Sequence, residues 1–176
     1  MNDAGDNRGH GEWELWFREW GPRLLLFARQ HASDPAEAED LVQEAFVRLW
    51  REGRRDGKPA PGRLFQLVRL AAIDAARRRR RRWRREQAVA APAAHGPCPE
   101  PWFEPDWEQG ERARLAEEGL RRLPVAQREV LVLRIWGGLT FEEIGKTLGI
   151  SPHTAASRYR YALQKLREFW PMEVSP

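Results

Sequence analysis

The sequence predicts an all-α protein of two small helical domains joined by a Pro/Ala-rich linker. Three observations predict it. Apolar residues recur at intervals of three and four along most of the chain. Capping residues, glycines and prolines cut that pattern into helix-length pieces. The stretch between residues 87 and 110 loses the period and becomes rich in Pro and Ala, as an extended linker does. The chain has 176 residues, enough for modest cores. The single cysteine, Cys98, excludes an internal disulfide and fits a reducing compartment. No apolar run is long enough to span a bilayer, and the polar N-terminus has no signal-peptide core. The expectation is a soluble intracellular, cytoplasmic protein without membrane insertion.

Residues 1–11 are expected to be a flexible tail. From Glu12 an aromatic stripe of Trp13, Trp16, Phe17 and Trp20 runs into Leu24, Phe27 and Ala28 on one helix face, which Pro22 is expected to kink or break. The nine tryptophans are assigned to core filling. Asp34 caps the next helix and Pro35 opens it. Ala38, Leu41, Val42, Ala45, Phe46, Leu49 and Trp50 line its inner side, with Glu37, Asp40, Gln43, Glu44, Arg48 and Arg51 opposite. The charged loop Arg51–Gly62 precedes a third helix from about Arg63. Its buried face is Leu64, Leu67, Val68, Ala71, Ala72 and Ala75, and it ends in the run Arg77–Arg82 followed by Trp83, Arg84 and Arg85. The first domain is expected over 12–86.

The linker, 87–110, holds Trp102, Phe103 and Trp107 as possible anchors. His95 and Cys98 lack a second ligand pair, so no metal site is assigned. The second domain is expected over 111–172. Leu115, Leu120 and Leu123 outline its first helix, which Pro124 ends. The second, from Val125 to Trp136, buries Val130, Leu131, Leu133 and Ile135, and Gly137 and Gly138 close it. Thr140 and Glu143 then form a capping box. Phe141, Ile144 and Leu148 face inward, Gly149 stops the helix, and Ser151 with Pro152 starts the last one. That helix buries Ala155, Tyr159, Ala162 and Leu166 and presents His153, Ser157, Arg158 and Arg160.

A short helix, a glycine turn and a second helix with a polar, basic face is the helix-turn-helix pattern, whose second helix enters the major groove of DNA. The net charge of +4 suits an anionic partner. The arginine run gains most when phosphates neutralise it and counterions are released. Arginine density by itself does not separate DNA from RNA, and Trp83 fits either stacking or packing. From physics alone the acidic face of the second helix is a solvated surface. There is no glycine-rich phosphate loop, nucleophile elbow or metal-ligand cluster, so an enzyme is not expected, nor is any cofactor.

The segments PRLLLFARQHASDPAEAEDLVQEAFVRLWR and AIDAARRRRRR, and later LPVAQREVLVLRIWGGLTFEEIGKTLGISPHTAASRYRYALQKLR, resemble the bacterial RNA polymerase sigma factors of the extracytoplasmic-function (ECF) class in the sigma-70 family. The resemblance covers nearly everything but the tail and the linker. It implies a σ2-like domain and a σ4-like domain, and a protein that binds core RNA polymerase, directs it to promoters and assists DNA melting. It implies that Asp40, Gln43 and Glu44 face the clamp helices of the β′ subunit. It assigns Arg63, Arg69, Arg77, Arg78, Arg80 and Arg81 to the −10 element, with the preceding loop holding a flipped base. It assigns Pro152, His153, Ala156, Ser157, Arg158, Arg160 and Tyr161 to the −35 element, and a contact of the σ4-like domain to the β flap. An anti-sigma protein is the further implied partner. The chain departs from the family pattern at Arg63, where tryptophan is usual, and at Leu70, where asparagine is common. In the last helix Ala156 and Tyr161 replace basic residues. An operator-binding helix-turn-helix regulator is the alternative. It would normally dimerise, and it has no need of the acidic Asp40, Gln43, Glu44 face.

Overall fold

The computed structural model describes the backbone of residues 6–52, 60–86 and 110–169 and the side chains of residues 15–52, 60–85 and 115–169. The readings made for the linker, including Trp102, Phe103, Trp107, His95 and Cys98, lie outside the described residues, as does the side chain of Trp13. Among the described residues there are seven helices and no strand. They are α1 (Asp6–Arg29), α2 (Pro35–Arg51), α3 (Pro61–Glu86), α4 (Gly110–Arg122), α5 (Val125–Ile135), α6 (Phe141–Leu148) and α7 (Pro152–Phe169).

The first three helices pack on one another. α1 begins at Asp6, ahead of the expected start at Glu12, and continues through Pro22. The break expected at that proline does not occur, because the helix is held on both sides of it by buried side chains. Trp16, Trp20, Leu24 and Phe27 point inward. Phe17, expected on the same face, is exposed and lies 5.1 Å from the Phe46 ring. α2 starts as the sequence requires. The Asp34 carboxylate accepts from the Glu37 amide at 2.8 Å, and the Glu37 carboxylate accepts from the Ser33 amide at 2.6 Å. Its apolar stripe is buried through Leu49, whereas Trp50, expected inside, is exposed. α3 contributes Leu64, Leu67, Val68, Ala71, Ala72 and Ala75 as expected, and also Phe65. The Phe65 ring meets Phe27 at 5.5 Å and Trp20 at 6.4 Å, both nearly edge-on, an arrangement that aromatic quadrupoles favour.

The remaining four helices form the second group, with α7 packed on α4, α5 and α6. Val130, Leu131, Val132 and Leu133 are all buried, so α5 is covered on every side at its centre. Leu115 and Ile135, expected in the core, are exposed. The two groups also touch. α6 lies on α3 and α5 on α1, so buried residues of both belong to one continuous cluster.

Candidate nucleic-acid interface

The helix-turn-helix is built by local bonds before tertiary packing is considered. The Thr140 amide and hydroxyl donate to the Glu143 carboxylate at 2.8 and 2.9 Å, and the Glu143 amide returns a bond to the Thr140 hydroxyl at 3.2 Å. Those Thr140 bonds hold the Glu143 carboxyl below its ordinary pKa. Gly149 ends α6 with φ +69°, the left-handed conformation only glycine adopts without a steric cost. A Cβ on Gly145 would stand 2.8 Å from the Ile150 carbonyl oxygen, so the turn closes only over a glycine there. The Ser151 hydroxyl then accepts from the Thr154 amide at 3.0 Å and opens α7.

On α7, Ala155 and Ala162 are buried, and Phe141 holds Tyr159 at 5.7 Å. Pro152, His153, Arg160 and Tyr161 are exposed, while Ala156, Ser157 and Arg158 are half-buried at the edge of the same outward surface. Arg160 donates to the Ser157 hydroxyl at 3.3 Å. The seven residues expected to meet the −35 element therefore share one helix.

The residues expected at the −10 element are divided in their surroundings. Arg77, Arg78, Arg80 and Arg81 are exposed along the last turns of α3. Arg79, between them, turns inward to pair with Glu37 and to donate to the His31 carbonyl at 3.5 Å. Glu37, expected on a solvated face, is thus half-buried between α2 and α3. Arg63 pairs with Glu52 through Nη2 and donates to Gln66 Oε1 at 2.6 Å. Arg69 pairs with Glu129 of α5, Nε to Oε1 at 3.1 Å.

Asp40, Gln43 and Glu44 are exposed on α2. Glu44 holds Arg48 at 2.9 Å, and Arg48 reaches Asp74 at 3.3 Å. Gln43 also borders an apolar cavity of about 600 Å³ between α1 and α2, lined by Phe17, Gly21, Pro22, Leu25 and Val42.

A polar cluster absent from the expectations lies where the two helix groups meet. Gln30, Arg128 and Glu129 are buried. His31 Nε2 lies 3.4 Å from the same Glu129 oxygen that holds Arg69, and Arg128 donates to the Gln30 carbonyl at 3.4 Å. Burial, then the Arg128 and Arg69 guanidiniums, brings His31 down to about 4. Burial also lowers Arg128, against the attraction of Glu129. One signal was available in the sequence. Val130–Leu133 is apolar without a break, so α5 is enclosed and its neighbouring charges are enclosed with it. No group of three or more side chains that could hold a metal gathers among the described residues.

Two family models match this chain, sigma-70 region 2 over residues 16–82 and sigma-70 region 4 over residues 119–168. The RNA polymerase sigma-E factor of Streptomyces avermitilis is 33% identical over 162 residues, covering 90% of this chain and 87% of that protein. CarQ of Myxococcus xanthus, an RNA polymerase sigma factor, is 32% identical over 159 residues, 86% and 85% of the two chains. The ECF RNA polymerase sigma factor RpoE of Cereibacter sphaeroides is 28% identical over 169 residues, 96% and 91%. Among solved structures, the sigma factor RpoE of Bartonella quintana, crystallised with the anti-sigma factor NepR, has the same fold. The TM-score is 0.66 at 22% identity, over 93% of this chain and 99% of that one.

Proposed function

This chain belongs to the extracytoplasmic-function class of the sigma-70 family, and we propose from that premise how its surfaces divide the work of a factor that directs core RNA polymerase to promoters. The region 2 match spans α1 to α3, and the region 4 match spans α5 to α7 with the end of α4. We assign residues 12–86 to the σ2-like domain, 87–110 to the linker and 111–172 to the σ4-like domain.

In this reading α7 enters the major groove at the −35 element through Pro152, His153, Ala156, Ser157, Arg158, Arg160 and Tyr161. Arg69, Arg77, Arg78, Arg80 and Arg81 meet the backbone at the −10 element, with Arg63 nearer the melted strand. Extruding a base there costs a few kcal/mol, which backbone contacts offset. Asp40, Gln43 and Glu44 face the β′ clamp helices, and the σ4-like domain meets the β flap. Sigma factors are non-catalytic initiation factors, so these residues bind and position and carry out no bond chemistry. The protein works beside the polymerase in the cytoplasm. No helix among the described residues is long and apolar enough to cross a membrane. An anti-sigma protein completes the set of proposed partners.

The observation that carries the reading is the pairing, in one chain, of a fully capped helix-turn-helix with an α3 that ends in outward-facing arginines. The test is run-off transcription on a promoter library with core polymerase, with and without the chain. Start sites that appear only with the chain are the expected result. Their absence, with the chain alone still binding one duplex, would favour an operator-binding regulator.

A further inference from the structure

The outward side of α3 changes character along its length. Leu70 is 41% exposed, and Arg77, Arg81 and Arg84 follow it at spacings that keep them on the same helix face. The other large apolar side chain that α3 exposes, among the described residues, is Trp83. It follows Arg79 by one turn and so falls on the side where Arg79 meets Glu37. Leu70 is thus the apolar residue set in line with the arginines. The arginine half of this face suits phosphates. The half around Leu70 does not. Its cations are already shared out, Arg63 to Glu52 and Arg48 to Glu44 and Asp74, so three carboxylates stand there against two guanidiniums. A phosphate approaching this half meets like charge, whereas an uncharged base does not.

Gln66 precedes Leu70 by one turn on the same face. Its Oε1 accepts from Arg63 Nη1 at 2.6 Å, and Arg63 is held in turn by Glu52, Nε to Oε2 at 3.1 Å. A guanidinium has donors only, so the Gln66 amide cannot flip without losing this bond. Its Nε2 keeps two hydrogens that the bond does not use. A fixed N–H donor one turn from an exposed apolar side chain matches one base edge. Thymine carries the O4 acceptor beside a C5-methyl group. Cytosine puts the N4 donor in that place and has no methyl group, and neither purine has one. We propose that Gln66 and Leu70 are a thymine-reading pair: Leu70 takes the C5-methyl group and Gln66 Nε2 donates to O4 of one thymine in the −10 element, with Arg63 as the positioning residue for the amide. This rests on the assignment of α3 to the −10 element and adds the base selected there and the two side chains that select it.

The test is run-off transcription with core polymerase and the full chain, on a promoter from which the chain starts. Each −10 thymine is replaced in turn by uracil, which lacks only the methyl group, or by 5-methylcytosine, which keeps the methyl group and puts a donor in place of O4. At one position uracil should lower the transcript yield of the unchanged chain by about threefold to fivefold, the worth of one buried methyl group. Leu70→Ala should lower the yield on thymine and make uracil and thymine equivalent there. Leu70→Met, close in volume, should restore most of the difference. Gln66→Glu keeps an acceptor for Arg63 and offers its second oxygen to N4, so it should reverse the order of thymine and 5-methylcytosine at that position. A uracil effect that Leu70→Ala leaves in place overturns the methyl contact. A thymine preference that Gln66→Glu does not reverse overturns the O4 contact. A −10 element in which no thymine is sensitive to uracil overturns the pair as a whole while leaving the sigma function standing. Absence of start sites with the unchanged chain on every template overturns the sigma function, and the pair falls with it.

Discussion

Glu37 on α2 and Arg79 on α3 form a tie between helices in the middle of a run that otherwise faces solvent. One Glu37 oxygen takes the Arg79 guanidinium, and the other accepts from the Ser33 amide and hydroxyl at 2.6 and 2.7 Å. Arg79 is therefore part of the fold, while Arg77, Arg78, Arg80 and Arg81 remain available to phosphates.

This separates the arginines by experiment. Arg79→Ala should destabilise the protein by about 1–2 kcal/mol in a urea titration, because a part-buried charged hydrogen bond is lost. Alanine at Arg77, Arg78, Arg80 or Arg81 should change stability by less than about 0.5 kcal/mol. Each of these should instead lower the slope of log binding constant against log salt by up to about one unit on promoter DNA. Equal effects of Arg79→Ala and Arg80→Ala on that slope would contradict the division.

The acidic surface of α2 makes a different prediction. Glu44 is 43% exposed and shares Arg48 with Asp74, so Arg48 keeps a partner when Glu44 is changed. The double change Asp40→Lys and Glu44→Lys should therefore cost less than about 1 kcal/mol of stability, as for exposed ion pairs. Affinity for core polymerase should fall by about tenfold or more if this surface meets the clamp, since like charges are then placed across an interface. Unaltered affinity would remove α2 from the polymerase interface.

The turn between α6 and α7 distinguishes two glycines. Gly149 needs its left-handed φ, and Gly149→Ala should cost about 1 kcal/mol. Gly145→Ala places its Cβ against the Ile150 carbonyl and Pro152, both backbone positions that fix the start of α7. That substitution should cost about 2–3 kcal/mol, as overpacking does. It should also abolish binding to the −35 element, while the Gly149→Ala protein still binds. Thermal melts and binding to a −35 duplex check the pair. Equal losses at the two positions would mean that only helix stability matters.

Most of the helix pattern was legible because it is local. The Thr140–Glu143 box, the Asp34 cap and the Gly149 stop depend on residues within one turn, and the sequence carries all of their atoms. The misplacements fall at the margins of apolar stripes. Trp50, Leu115 and Ile135 have the right period, but whether a neighbour covers them depends on where another element lies. Phe65 was overlooked for the converse reason: α3 is enclosed by α1, α2 and α6, so its buried arc is wider than one stripe. Pairs such as Arg69 with Glu129 and Arg79 with Glu37 join positions far apart in sequence, where periodicity has no information. For the same reason the resemblance could assign Arg69 to the −10 element but could not show its pairing with Glu129.

His31 supplies the pH prediction. It stands at the end of α1 with Arg69, Arg128 and Glu129 around its ring and Arg79 on its carbonyl. Burial, then the Arg128 and Arg69 guanidiniums, disfavour the imidazolium, so the folded pKa is about 4 against an ordinary value of 6.5. Between those values the unfolded chain binds a proton at this histidine and the folded chain does not. Stability from this group is therefore complete above about pH 6.5 and is lost as pH falls towards 4, with a total on the order of 3 kcal/mol. Urea titrations from about pH 7.5 down to about pH 5 should show this decline, and His31→Gln, which cannot take up the proton, should remove most of it. A pH profile that His31→Gln leaves unchanged would show that His31 carries its proton equally well in the folded chain.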